Sequence, residues 1–296
     1  MITEKNLSFI IVTFKSNKVI HKCIKSINSR FKILVIDNSR DNELKYNLEK
    51  KYKNVKCVIS KKNLGMGAGN NFGLNIIKKN YVFIINPDVF LKRNTLDEII
   101  KAGRQFKDFS ILAPLLMNKK YPNYIIKKNK NISKSTIYPF LVSSVDGFAM
   151  LLNLKKIKKI LKIRNFNFFD ENFFLFLEND DLCKRIINKN EKIYIVPKAK
   201  VTHLGAKSVN SKFYNEIEFS RNWHWMWSKF YFNKKHYGYL VALIKVLRNL
   251  ISSNLKFIYY LFTQNHYKRK IYQMRLLGLI SSMMGIRSFY RPKINN

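Results

Sequence analysis

Four apolar runs, at residues 7–13, 33–37, 55–60 and 81–86, alternate with polar, helix-compatible stretches at 17–29, 41–52 and 70–80. Strand, crossover helix and strand in repetition predict βαβ units and a parallel sheet. Three of the runs stop on polar residues: Leu7 to Thr13 at Thr13-Phe14-Lys15-Ser16, Ile33 to Ile36 at Asp37-Asn38-Ser39, and Tyr81 to Ile85 at Asn86-Pro87-Asp88. In open parallel sheets ligands bind outside the strand carboxyl ends, so Thr13, Asp37 and Asp88 are expected to converge although far apart in sequence. A lone carboxylate delivered by a buried strand suits a metal or a phosphate-bearing ligand.

The chain of 296 residues, 47% hydrophobic, is long enough for one large domain or one domain with an appendage. Its net charge of +38 implies an anionic partner, whether nucleic acid, an acidic membrane surface or a phosphorylated substrate, although genomic base composition also inflates lysine. Cys23, Cys57 and Cys183 are widely spaced and form no CxxC pair, which argues against a disulfide framework or zinc site and for a reducing compartment. The one N-terminal apolar run is too short for a secretory core and lacks a small-residue cleavage site, so a cytoplasmic location is expected.

Residues 95–107 read as a helix opened by Thr95, with Asp97 and Glu98 in its first turn where the macrodipole favours them. The basic, Asn-rich stretch from Asn118 to Ser135 reads as a surface loop, either a plain insertion or a lid. A turn into a buried strand follows at Val145 to Leu152, then an aromatic block at Phe166 to Phe176. A helix is expected from Asp180 to Asn190, and a strand from Lys192 to Val196 closed by Pro197. Trp223, Trp225 and Trp227 either stack on a sugar or lipid or belong to a core.

The loop Asn63-Leu64-Gly65-Met66-Gly67-Ala68-Gly69-Asn70-Asn71-Phe72-Gly73 follows a strand and opens a helix. Glycines let a backbone approach a ligand closely, and a helix N-terminus attracts anions. A dinucleotide fingerprint, however, follows the first strand, whereas this loop follows the third. It is therefore either a tight connection or a nucleotide loop.

In residues 237–262 a thin stripe of Lys245, Arg248, Asn249, Ser252 and Lys256 recurs at helical spacing on an otherwise apolar segment, with Leu243, Leu247, Leu250 and Ile258 assigned to the lipid side. No stretch reaches the ~20 uncharged residues of a membrane span, so an interfacial helix is expected. The chain thereby divides into residues 1–235 and a C-terminal helical, membrane-associating segment, 236–296.

In Ile10-Ile11-Val12-Thr13-Phe14, Val35-Ile36-Asp37-Asn38-Ser39, the Asn63 to Gly73 loop, Asn86-Pro87-Asp88, Phe169-Asp170-Glu171-Asn172-Phe173-Phe174, Glu178-Asn179-Asp180-Asp181-Leu182-Cys183-Lys184-Arg185 and Val201-Thr202-His203-Leu204-Gly205, the chain resembles the inverting glycosyltransferases of family 2, in their rhamnosyltransferase-like branch. The motifs occur in order, and the tail from Leu277-Gly278-Leu279 to Arg291-Pro292 is similar too. The resemblance implies an α/β GT-A fold with a mostly parallel central sheet, a nucleotide-sugar donor and Mg²⁺ or Mn²⁺. It assigns Thr13, Phe14, Asp37, Asn63, Gly65, Gly67, Asn70, Asn86 and Asp88 to the donor, Asp88 and His203 to the metal, and Asp146, Gly147 and Arg185 to the acceptor.

These roles suit the residue types. A carboxylate at Asp37 accepts the ring N–H of uracil or thymine, and hard oxygen ligands suit the divalent cation. For Asp37 and Asp88 the alternative is a turn-stabilising Asx residue. Inverting transfer also needs a general base. The family pattern is Glu-Asp, a variable residue and a second Asp, but Asn179 stands where the first Asp is expected. Glu178, Asp180 and Asp181 remain as candidates, and a close carboxylate neighbour would raise the pKa of one of them. The alternative for Asp181 is a helix cap.

The reading is an enzyme on the inner face of the cell membrane that moves a sugar, first choice rhamnose, from dTDP or UDP to a lipid-linked or surface polysaccharide acceptor, with an anionic membrane surface and no nucleic acid as partner. Two rivals remain. A sugar nucleotidyltransferase would carry a glycine- and arginine-rich loop after the first strand, and Thr13-Phe14-Lys15-Ser16 shows none. A nucleic-acid-binding protein would gather its basic residues in a groove, whereas here carboxylates sit at the strand ends.

Overall fold

The computed structural model describes residues 2–117, 121–126, 136–205 and 213–294. By its contacts the chain forms two compact units, Met1–Asp170 with Asn179–Val209, and Glu171–Glu178 with Asn210–Asn296.

The first unit opens with the expected alternation: β1 Leu7–Thr13, α1 Asn17–Ser26, β2 Lys32–Asp37, α2 Asn42–Lys51, β3 Val55–Ile59, α3 Gly65–Ile77 and β4 Tyr81–Ile85. It continues with β5 Val89–Leu91, α4 Thr95–Gln105, β6 Phe109–Leu116, β7 Tyr124–Ile125, β8 Phe140–Val142, β9 Ser144–Val145, β10 Ala149–Asn153, α5 Leu154–Ile160, α6 Glu178–Ile187 and β11 Lys192–His203. The main sheet has the order β3-β2-β1-β4-β10-β6-β11-β5, with β8 pairing β11, and β7 and β9 form a separate ribbon. Strands β1 to β4 are mutually parallel, and β10 enters antiparallel between β4 and β6.

The four parallel strands read as unbroken apolar runs because both faces of the sheet are covered. Phe9, Ile11, Val35 and Phe83 enter one core, while Ile10, Val12, Ile36 and Ile84 enter the other. Helix α3 lies close on β1. A Cβ on Gly69 would stand 2.9 Å from Val12 Cγ1, and one on Gly73 would stand 3.0 Å from Ile10 Cδ1, so these two glycines serve helix-to-strand packing.

One local expectation differs. Pro197 does not close a strand: β11 runs through it to His203, with a register shift between Val196 and Lys200 against β6. A proline without an amide donor is tolerated at such an irregularity. Helix α4 opens at Thr95 as expected, and the Thr95 hydroxyl accepts from Lys92 N (2.9 Å) and donates to Lys200 O (2.5 Å). The stretch from Asn118 to Ser135 lies outside the described residues except for 121–126.

The second unit contains α7 Tyr214–Tyr237, α8 Tyr239–Phe262 and α9 His266–Met283. Gly238, at φ +86°, makes the sharp turn from α7 into α8. Met226, Phe230, Ala242, Val246 and Leu279 form one core, and Phe173, Trp223, Trp227 and Met274 another. By contact α7 thus groups with α8 and α9, whereas the sequence reading drew its division at residue 235. Trp223 and Trp227 are core residues; Trp225 is exposed. A Cβ on Gly278 would stand 2.1 Å from Trp223 O, so α9 meets α7 backbone to backbone. Among the described residues no helix is long and apolar enough to cross a membrane.

All three cysteines are free and buried. Burial raises each thiol pKa, to about 12 for Cys57 and Cys183 and higher still for Cys23, where the Asp88 carboxylate adds to the effect.

Candidate functional site

The carboxyl ends of β1, β2 and β4 lie side by side, and Thr13 is the register partner of Asp37. Asp37 is fully buried. Its Oδ1 accepts from Ser39 N (3.1 Å) and Ser39 Oγ (2.8 Å), and its Oδ2 accepts from Asp41 N (2.8 Å). It therefore organises the turn after β2, as an Asx residue does. Asn38, which the sequence reading left unassigned, ties that turn to the glycine loop: its Nδ2 donates to Gly65 O (3.0 Å) and its Oδ1 accepts from Leu64 N and Ser60 Oγ. Gly65 has φ +77°, and Gly67 and Asn70 are buried. Gly65 N donates to Asn63 Oδ1 (3.1 Å), which closes the start of α3. Phe14 is half-buried just beyond β1.

Three buried oxygens around these strand ends, Thr13 Oγ1, Asn70 Oδ1 and Asn86 Oδ1, have no hydrogen-bond partner among the described residues. Buried polar atoms are nearly always satisfied, so these three oxygens are available to accept hydrogen bonds from a ligand.

Asp88 follows β4 and is buried. Because β11 ends beside β5, with His203 opposite Val89, the imidazole reaches the carboxylate: His203 Nε2 lies 3.3 Å from Asp88 Oδ1. The Phe148 ring packs at 4.4 Å on His203, and Asn86 N donates to Phe148 O (2.8 Å). That last bond follows from topology, since antiparallel β10 brings its amino end to the carboxyl end of β4. Asp146 and Gly147, just before β10, are carried to the same edge. Among the described residues no group of three or more His, Cys, Asp or Glu is placed to hold a metal.

Asp146 keeps solvent access. Burial of its carboxyl and the neighbouring Asp180 carboxylate raise its pKa to about 6, with His203 pulling the other way. Asp180, in the first turn of α6, accepts from Ser144 Oγ (2.6 Å) on Oδ1 and from Asn179 Nδ2 (3.3 Å) on Oδ2. Burial pushes its pKa up, and those two hydrogen bonds oppose the shift. Asn179 also donates to Val145 O (2.8 Å), and a Cβ on Gly147 would stand 3.0 Å from Asn179 Cβ, so this backbone is seated against the asparagine. Ser144 was not singled out from sequence, although it lies only two residues before Asp146.

Asp88, His203, Asp146 and Asp180 are thus brought together, with Thr13 and Asp37 at adjacent strand ends. Asp181 and Arg185 are occupied elsewhere. Asp181 is fully buried and pairs with Arg185 Nε at 2.8 Å one helical turn on, and Arg185 also donates to Phe168 O. Asp181 is the fourth residue of α6, past the cap position, and Glu178, buried, is the first.

The model of a family described as glycosyl transferase family 2 matches residues 8–161. The low-salt glycan biosynthesis hexosyltransferase Agl10 of Haloferax volcanii is 24% identical over 207 residues, which are 64% of this chain and 64% of that protein. Rhamnosyltransferase WbbL of Escherichia coli strain K12 is 24% identical over 243 residues, 73% of this chain and 88% of that protein. Among solved structures, GalNAc-T7 with UDP, GalNAc and Mn²⁺ superposes with a TM-score of 0.54 at 15% identity, over 67% of this chain and 43% of that one. The chain therefore spans a little under two thirds of Agl10 and under half of GalNAc-T7. The last likeness is one of fold, and it is the GT-A fold.

Proposed function

Because the chain belongs to glycosyl transferase family 2, we propose that it moves a sugar from a nucleoside-diphosphate donor to a hydroxyl of a glycan or lipid-linked acceptor, with inversion at the anomeric carbon. Rhamnose from dTDP is the first choice, UDP the second base. The activity in the name of WbbL supports rhamnose as the first choice of sugar. A lipid-linked acceptor of this kind supports a location at the inner face of the cell membrane.

The observation that best supports the reading is the meeting of two pairs at one sheet edge, Asp88 with His203 and Asp146 with Asp180. The first pair fits a divalent cation. It offers one hard carboxylate oxygen and one imidazole nitrogen, near the unsatisfied Asn86 Oδ1. Asp88 and His203 would hold Mg²⁺ or Mn²⁺, and the diphosphate oxygens would complete its shell. The bound cation would neutralise charge on the departing nucleoside diphosphate.

On the donor side, a carboxylate offers about four acceptor positions, of which Asp37 commits three to its own turn, so one is left for a ring N–H of the base. Thr13 Oγ1 and Asn70 Oδ1 supply further partners beside it. On the acceptor side, the Asp146 and Asp180 carboxylates take the proton from the attacking hydroxyl as a pair. Asp146 has the solvent access and Asp180 the anchoring, while the ion pair with Arg185 gives Asp181 a structural task.

Incubation with a panel of UDP-, dTDP- and GDP-sugars, with and without Mn²⁺, tests the reading by donor hydrolysis and product configuration. Turnover of one or more donors with an inverted product supports it. A folded enzyme that consumes none of them, with or without the cation, overturns it.

A further inference from the structure

Helix α8 is covered on one side only. Ala242, Val246 and Ser253 are buried, and Leu243 and Leu250, expected from sequence to face lipid, instead pack against the core of the second unit. The opposite side is apolar and uncovered: Leu240, Ile244, Leu247, Ile251, Leu255 and Phe262 are all exposed, with Leu240 at 74% and Phe262 at 79%. Steps of three, four or seven residues keep them on one row along the helix. A shallow groove of about 420 Å³ lies along it, where Leu247, Ile251 and Leu255 alternate with Arg248, Ser252 and Lys256.

The charge around this row selects its partner. From Phe219 to Asn296 the sequence holds 14 Lys and Arg residues and not one Asp or Glu. Lys245, Arg248 and Lys256 are exposed on the flank of the row. Lys245 Nζ lies 3.8 Å over the Tyr237 ring, Lys256 Nζ 5.4 Å over Tyr272 and Lys268 Nζ 5.3 Å over Tyr260. A second copy of this chain would bring like charges against like. Nucleic acid would meet the cations but leave the leucine row against water. An anionic lipid surface answers both, with headgroups for the cations, an acyl boundary for the row, and an interface that tyrosines favour.

We infer that the exposed row of α8 and its cationic flank form a docking surface for an anionic membrane, with the helix lying in the interface plane. This deepens the membrane-face location proposed above and rests on it, but it stands apart from the transfer chemistry, because no α8 residue belongs to the carboxylate site.

The test uses full-length protein and vesicles of phosphatidylcholine, with or without phosphatidylglycerol. The wild type is expected to bind only the vesicles containing phosphatidylglycerol, and less so as salt rises. Two variants at exposed positions separate the contributions. Lys245→Gln with Arg248→Gln and Lys256→Gln should weaken binding roughly 10²-fold, on the scale of about 1 kcal/mol per basic residue. Leu240→Ser with Ile244→Ser and Ile251→Ser should weaken it at least about tenfold. Both should keep wild-type circular dichroism and donor hydrolysis. If wild-type protein ignores anionic vesicles, the membrane location falls along with the surface. If it binds and both variants bind equally well, the location stands and this surface is overturned. Self-association of the wild type in solution without vesicle binding also overturns it, in favour of a second copy as the occupant.

Discussion

Asp88 is buried, its carboxylate faces His203, and the backbone bond it accepts from Leu204 N does not depend on its side chain, so loss of the carboxylate should be felt in chemistry rather than in folding. Asp88→Ala is expected to abolish sugar transfer while circular dichroism and the unfolding midpoint stay near wild type; full turnover by the folded variant would remove Asp88 from the site. Asp146 carries a pH signature. Its carboxyl is raised to about 6, so it is protonated below that pH and cannot accept a proton there. Wild-type kcat/KM should therefore fall as pH drops through about 6 and level off above it. Asp146→Asn should lower the rate by roughly 10²-fold or more and abolish that limb; an unchanged limb in the Asn variant would assign it to another group. The stability sign is opposite. A carboxyl raised from 3.8 contributes stability below 3.8 and loses it as pH rises through about 6, so Asp146→Asn is not expected to destabilise the protein at neutral pH. Residue types at strand ends were legible in the sequence, because a buried strand that ends in Asp has few purposes. Which atom each carboxylate faces was not. The bonds of Asp37 to Ser39 and Asp41, and of Asp181 to Arg185, depend on turn and helix geometry that identity alone does not carry.

Among the elements, β1 to β4 and their helices were legible because their faces are both apolar and their spacing is regular. Pro197 misled because a strand can pass through a proline where its pairing is already irregular. Helix α8 was recognised and its lipid-side assignment was half right: Leu247 and Ile258 are exposed as expected, whereas Leu243 and Leu250 turn inward, since periodicity finds two apolar sides and only packing says which is covered. The glycines of α3 acquired a mechanical meaning that spacing could not supply. The same physics predicts the behaviour of α9. A methyl at Gly278 would collide with the Trp223 carbonyl oxygen at 2.1 Å, and backbone cannot move aside as a side chain can. Gly278→Ala should therefore cost about 1–3 kcal/mol, read as a lower denaturant midpoint by the fluorescence of Trp223 and Trp227; an unshifted midpoint would mean that the helices slide apart without penalty.

For the whole molecule, composition announced an anionic partner but not where it binds, because a net charge of +38 has no address until the chain is folded. The structure separates a first unit with carboxylates at its sheet edge from a second unit whose last 78 residues carry no acidic side chain. The proposed chemistry and the proposed docking can therefore be altered independently. The three buried thiols have a further use. A thiolate is the reactive form, and each thiol is both enclosed and pushed far above neutral pH, so the native protein should be silent toward iodoacetamide, while unfolded chains react at three positions. Alkylation measured by mass then becomes a clock for opening, and any one cysteine that reacts early reports which core loosens first. For the same reason a single cysteine introduced on the outer row of α8 would be labelled against a blank background, giving a fluorescent reporter of contact without first removing the native three.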